Sequence, residues 1–329
     1  MTERRYDPTA DEWVTFATHR QERTYKPTAD FCPLCPSRPG GPSTEIPYPA
    51  FEVITFDNRF ASFSTRPPAP DVAGDGLHQV APARGRCEVV VYSDNHQATF
   101  SDLTPNRVRM LVDVWVDRWV CLGAQDDIGY VMAFENKGEV IGTTLSHPHG
   151  QIYGYPDVPP RPRRELRVAR AHRERTGRCI ECDVVAAEVA FRHRVVAEDA
   201  GWVAWVPFWA RFPYEIHVAP RRHRPGLADL DEEDRAALAR VLRVVARTYD
   251  ALWGFSLPYV MAFHQRPTND DEDWAPVSHF HVEFAPPHRS AERLKYLAGS
   301  ELAGGSFITD VAPEDAAGQL RAARAGLPR

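Results

Sequence analysis

The chain contains a degenerate copy of itself. The segment EVVVYSDNH ends at His96 and is echoed by EIHVAPRRH, which ends at His223. Each is followed by Asp-Leu (Asp102-Leu103 and Asp229-Leu230) and then by a long run with helical spacing of its apolar residues. YVMAF occurs at Tyr130 and again at Tyr259, His147-Pro148-His149 returns as His279-Phe280-His281, and Cys32-x-x-Cys35 returns as Cys179-x-x-Cys182. The copies lie about 130 to 150 residues apart, too long a period for a solenoid and right for a duplicated domain-sized unit. In each half the order is C-x-x-C, strands, a strand leading to His, a helix, a strand and H-x-H. That order predicts an α+β fold: two copies of an antiparallel sheet with a long helix packed across it. The halves are expected to span residues 1–160 and 161–329. Between them lies a Pro- and Arg-rich stretch, residues 156–178, whose basic run reads as a solvated helix face.

Composition narrows the function classes. The 329 residues are 43% hydrophobic, so a substantial core can form. The formal charge of −6 argues against general nucleic-acid binding. The first residues, MTERRYDPTADEW, carry no apolar signal core, and no stretch approaches the roughly 18–20 apolar residues of a membrane span. A cytoplasmic protein without membrane contact is expected.

Four of the six cysteines fall in the two C-x-x-C pairs. In a reducing compartment such pairs read as metal ligands before disulfides. Zinc takes four Cys or His ligands in a tetrahedron. Each half supplies a matching His at the end of its strand and another in H-x-H. The first set is Cys32, Cys35, His96 and His147; the second is Cys179, Cys182, His223 and His279.

The segment FENKGEVIGTTLSHPHGQIYGYP concentrates the chemistry. On a strand, residues i and i+2 share a face, which predicts that His147 and His149 point into one cleft with Gln151 beyond them. A neutral imidazole is a competent nucleophile near neutral pH. Asn136, Thr143, Thr144 and Gln151 add uncharged donors, and Gly138 and Gly142 allow close backbone approach to a phosphate. The second copy has Glu283 where the first has Gln151. A carboxylate there repels phosphate, so the active site is expected in the first half, with His149 and Gln151 as its catalytic pair.

With FCPLC upstream and FENKG before it, HPHGQ resembles the galactose-1-phosphate uridylyltransferase family, a branch of the histidine-triad superfamily. The resemblance covers nearly the whole chain and implies a duplicated histidine-triad-like fold and a double displacement. UDP-glucose gives its uridylyl group to a histidine, which passes it to galactose-1-phosphate. It further implies that His149 is the nucleophile, that Gln151 bonds the transferred phosphoryl, and that Asn136, Arg20 and Arg23 lie near the phosphates. Asn58, Arg59 and Phe60 would hold uracil and ribose, and Lys295 and Glu301 would meet the hexose phosphate. The family's homodimer, with sites borrowing residues from the partner, is expected too. Some members bind a second metal, zinc or iron, through the equivalents of Glu165, His264, His279 and His281. His279 does not easily serve both that set and the cysteine set, and thiolates favour the latter. Ser300 and Phe307 stand where better-known members carry Tyr and Gln, which leaves the acceptor sugar open, as it leaves a relative acting on ADP-glucose.

Overall fold

A computed structural model describes residues 2–41 and 43–327. Its strands are β1 (Thr2–Asp7), β2 (Glu12–Ala17), β3 (Ile54–Asp57), β4 (Val80–Pro82), β5 (Arg86–Val91), β6 (Tyr130–Lys137), β7 (His149–Tyr155), β8 (Val195–Asp199), β9 (Trp202–Trp205), β10 (Ile216–Pro220), β11 (Tyr259–His264), β12 (His281–Ala285), β13 (His288–Ser290) and β14 (Arg293–Leu294). The helices are α1 (Pro105–Gly123), α2 (Pro160–Thr176), α3 (Ile180–Phe191), α4 (Glu232–Trp253), α5 (Gly299–Leu302) and α6 (Pro313–Ala325).

Among the described residues, nine strands form one antiparallel sheet in the order β3-β5-β7-β6-β11-β12-β10-β9-β8. The order is palindromic about the β6–β11 seam: β5, β7 and β6 on one side answer β10, β12 and β11 on the other. The duplication read from the sequence is thus a pseudo-twofold relation inside a single sheet. The YVMAF copies meet at this seam, where Met261 pairs with Glu135 and Ala262 with Phe134. Each half leads from its middle strand through a long helix to the seam, α1 in one case and α4 in the other.

Alternation along the strands sorts the two faces. Val90, Tyr92, Val131, Ala133 and Ile152 join the main core with α1, α4 and α6. The helix starts follow capping rules: the Thr104 hydroxyl accepts from Arg107 N ahead of Pro105, and Asp231 with Asp234 forms a reciprocal box at the start of α4. The other face of the sheet carries smaller clusters. Cys32, Leu34 and Ile46 pack on Val89 and Val91, while Val185 of α3 packs on Val203 and Trp205. The Arg-rich run is α2, mostly solvated as expected, though its Arg161 and Glu165 turn towards the sheet. No helix among the described residues is long and apolar enough to cross a membrane.

Candidate active site

On the face of the sheet away from α1 and α4, the first half opens a cleft of about 230 Å3. Arg20, Arg23, Asn58, Arg59, Phe60, Asn136, Thr143, Thr144, His149 and Gln151 all line it. Period-two alternation explains the pairing of side chains: Phe134 and Asn136 of β6 face the cleft while Ala133 and Glu135 turn away, and His149 and Gln151 of β7 share the cleft face.

His149 places its Nδ1 2.8 Å from the carbonyl oxygen of His147. A carbonyl accepts only, so Nδ1 carries the proton and Nε2 is left with its lone pair. Burial lowers the His149 pKa below its ordinary value, which holds the ring neutral. Gly150 separates His149 from Gln151 and has no room for a side chain. A Cβ there would lie 2.1 Å from the Tyr92 hydroxyl and 3.0 Å from the Phe134 carbonyl oxygen.

One expectation fails on this strand. His147 does not line this cleft with His149, although the two border an adjoining cavity together with Asn136 and Thr143. β7 starts at His149, and His147, 1% exposed, lies just ahead of it. Its Nε2 donates to Ser93 O at 2.7 Å and its Nδ1 lies 3.4 Å from Cys35 Sγ. Pro148 precedes the regular strand, so strict alternation does not extend back to His147.

Cys32, Cys35, His96 and His147 converge as a group able to hold a metal ion. Cys35 Sγ is 3.3 Å from His96 Nδ1. A tetrahedral ion with ordinary zinc bond lengths would set sulfur–nitrogen edges of about 3.5 Å, so the spacing fits. The outer nitrogens are held as well, His147 by Ser93 O and His96 by Ser146 Oγ at 3.2 Å. Leu34, between the two cysteines in sequence, lines the cleft. The Cys32–Cys35 knuckle therefore also walls the site.

Cys179, Cys182, His223 and His279 form the corresponding group in the second half. Cys182 Sγ lies 3.6 Å from His223 Nδ1 and 3.3 Å from His279 Nδ1. Nε2 of His223 meets Ala275 O at 2.8 Å and that of His279 meets Pro220 O at 2.9 Å. Both nitrogens of His279 are therefore committed. This corrects the alternative set: Glu165, His264 and His281 gather separately, without His279.

The arginines divide their labour. Arg20 Nη1 donates to Phe60 O and Ser62 Oγ, both at 2.9 Å, and so holds the loop that follows β3. Arg59 is solvent-exposed, its Nη1 3.4 Å from Glu45. Thr143 Oγ1 donates to Asn136 O at 2.7 Å, fixing the backbone of the 138–144 turn. Tyr153, missed in the sequence, also lines the cleft, and its hydroxyl lies 3.3 Å from both Arg20 Nη1 and Gln151 Oε1. Continuing the alternation from His149 and Gln151 would have found it.

Lys295 and Glu301 do not reach this cleft. They pair with each other at 3.0 Å, in a segment where Phe307 packs on Phe212 of the second half. Ser300 Oγ donates to Ser306 O at 2.7 Å within the same segment.

Comparisons with known proteins agree with this arrangement. The profile "Galactose-1-phosphate uridyl transferase, N-terminal domain" matches residues 1–159, and its C-terminal counterpart matches residues 165–326. The chain is 39% identical to a galactose-1-phosphate uridylyltransferase of Thermotoga maritima, covering 98% of each chain. It is 37% identical to that of Streptomyces lividans, over 97% of this chain and 86% of the relative. Among solved structures, one described as uridylyltransferase superposes with a TM-score of 0.86 at 32% identity, covering 98% of both chains. An ADP-glucose phosphorylase of Arabidopsis thaliana with bound ADP-glucose gives 0.73 at 25%, again covering 98% of both. With both halves matched and the identity sustained from end to end, the chain belongs to the galactose-1-phosphate uridylyltransferase family.

Proposed function

We propose that this chain transfers the uridylyl group of UDP-glucose to galactose-1-phosphate through a covalent intermediate on His149. The observation that carries the reading is the Nδ1 contact of His149 with its own chain's carbonyl at residue 147, which leaves Nε2 as the nucleophile in a cleft rich in phosphate donors. In the first step Nε2 attacks the α-phosphorus, a P–N bond forms, and the bond to the β-phosphate oxygen breaks to release glucose-1-phosphate. The imidazole becomes cationic, and the carbonyl that accepts from Nδ1 stabilises that charge. In the second step a phosphate oxygen of galactose-1-phosphate attacks the same phosphorus, UDP-galactose leaves, and Nε2 recovers its lone pair. Gln151 and Asn136 donate to the phosphoryl oxygens without offering a proton-transfer group, which favours transfer over hydrolysis. Asn58, Arg59 and Phe60 hold base and ribose, and Arg20 and Arg23 face the phosphates.

Both Cys/His groups fit zinc by donor type and spacing. Zinc on the first would fix His147, and with it the carbonyl that orients His149. On the second it would anchor α3, whose N-cap is Cys179. The chain works as a homodimer in this reading, with Lys295 and Glu301 supplied to the partner's cleft. Support comes from the apolar surface of their segment: Tyr296 is 75% exposed, Leu302 73% and Ile308 61%, more than a monomer gains by leaving in water.

The test is intact-protein mass after incubation with UDP-glucose alone, at mildly alkaline pH because phosphoramidates are acid-labile. A gain of one uridylyl group that His149→Ala abolishes is the expected result. A gain with ADP-glucose but none with UDP-glucose refutes the base assignment, and no gain with either refutes the nucleophile.

A further inference from the structure

Gln151 serves a phosphoryl group in only one of its two amide orientations. With Nε2 towards the substrate it donates to a phosphoryl oxygen. Turned over, it presents a carbonyl oxygen to an anion. The two ends of the amide are almost the same size, so hydrogen-bond partners, not packing, choose between them.

Tyr153 supplies such a partner. Two residues beyond Gln151 on β7, it shares the cleft face. Its hydroxyl lies 3.3 Å from Gln151 Oε1 and 3.3 Å from Arg20 Nη1. A guanidinium only donates, so Arg20 takes a lone pair of the phenol oxygen and the phenol's own proton is left for Gln151 Oε1. Burial raises the Tyr153 pKa above its ordinary value, which keeps that proton on the phenol. The chain of donation therefore runs from Arg20 to Tyr153 to Gln151.

The ring is held from three sides. Phe134 and Phe63 meet it edge-on, with centroids 5.0 Å and 6.2 Å away, and Tyr155 lies tilted at 5.8 Å. Arg20 is fixed in turn by Phe60 O and Ser62 Oγ, so the loop after β3 and the Gln151 amide share one anchor. The second half lacks this device. Along β12 the residues answering to His149, Gln151 and Tyr153 are His281, Glu283 and Ala285. The hydroxyl is missing together with the amide it would orient.

We propose that Tyr153 is a positioning residue for uridylyl transfer: its hydroxyl donates to Gln151 Oε1 and fixes the amide with Nε2 towards the transferred phosphoryl group. The proposal rests on the reading of His149 as nucleophile. The Gln151 donation gains weight as charge builds on the phosphoryl oxygens, so its loss is felt in the rate constant more than in nucleotide affinity.

The experiment is single-turnover uridylylation of the full-length protein at saturating UDP-glucose, paired with equilibrium binding of UMP. It compares the parent, Tyr153→Phe, Gln151→Ala and the double variant. Tyr153→Phe should lower the rate constant about tenfold, the weight of one hydrogen bond, and leave UMP affinity within about twofold of the parent. In the Gln151→Ala background the same change should cost nothing further. A parent-like rate in Tyr153→Phe, losses that multiply in the double variant, or UMP affinity that falls as far as the rate overturns the proposal. A second measurement keeps the ring in place. With trifluorotyrosine at position 153 the more acidic phenol ionises at lower pH, so the rate should fall with rising pH earlier than in the parent; an unmoved profile refutes the donated proton. A parent that takes no label from UDP-glucose refutes the transfer reading itself, whereas a labelled parent with any of the overturning results refutes only the role of Tyr153.

Discussion

Gly150 offers the sharpest test of how the nucleophile is held. Its Cα faces the helices, where an added methyl would sit 2.1 Å from the Tyr92 hydroxyl, 3.0 Å from Tyr92 Cζ and 3.0 Å from the Phe134 carbonyl oxygen. Tyr92 is fully buried between Phe100 and Trp115 and cannot swing aside. Overpacking a rigid core typically costs about 1–3 kcal/mol, and contact with both a ring and a backbone oxygen places Gly150→Ala at the upper end. Tyr92→Phe removes the nearest atom and also a buried hydroxyl without a hydrogen-bond partner. Alone it should be neutral or stabilising by up to about 1 kcal/mol, since an unsatisfied buried group carries a desolvation cost. In the double variant the contact relaxes to Cζ and the carbonyl, so the coupling should return about 1–2 kcal/mol but not the whole loss. Urea denaturation of the four proteins measures the cycle. Uridylylation rates should follow the same order, because β7 cannot shift at Gly150 without moving His149 and Gln151. Additive effects, or Gly150→Ala as stable and active as the parent, would refute the packing argument.

Three further outcomes are expected. Mixing His149→Ala chains with Lys295→Ala chains should restore turnover in heterodimers, which would contain one intact site of two; if the mixture stays as inactive as its parents, the shared site is wrong. Because burial lowers the His149 pKa, the uridylylation rate by quenched-flow mass measurement should keep more than half of its plateau value at pH 6.5, where an ordinary imidazole is about half protonated; a fall to half or below there contradicts the lowered pKa. Glu135 is buried with its pKa pushed up to about 8 from 4.5, chiefly by desolvation. Its folded-state pKa is raised, so the unfolded chain binds fewer protons and stability falls as pH rises from about 4.5 to 8. Glu135→Gln should therefore gain stability relative to the parent as pH increases through that window, and a pH-independent difference would exclude it.

The sequence made the duplication, the antiparallel α+β architecture and the two Cys/His groups legible, because each rests on short motifs whose spacing survives in both halves. The residues around the nucleophile were legible for the same reason: Asn136, His149 and Gln151 obey strand alternation. Alternation misled at His147, which precedes the regular strand. Tyr153 was overlooked although it continues the pattern. Ligand chemistry alone assigned His279 to the thiolates, but long-range closure was beyond pattern reading, and nothing in the sequence showed that Arg20 secures the loop at Phe60. Lys295 and Glu301 could be matched by motif, but a single chain does not carry them to the cleft.

The seam between β6 and β11 has an evolutionary consequence. Backbone hydrogen bonds join the halves, and these are indifferent to side-chain identity, so the joint survives while the clefts on either side drift. Duplication in such a sheet creates a spare. One copy stays under selection for chemistry, and the other is free to exchange its donors so long as the strand edges still match. The asymmetry between Gln151 and Glu283 is the record of that freedom.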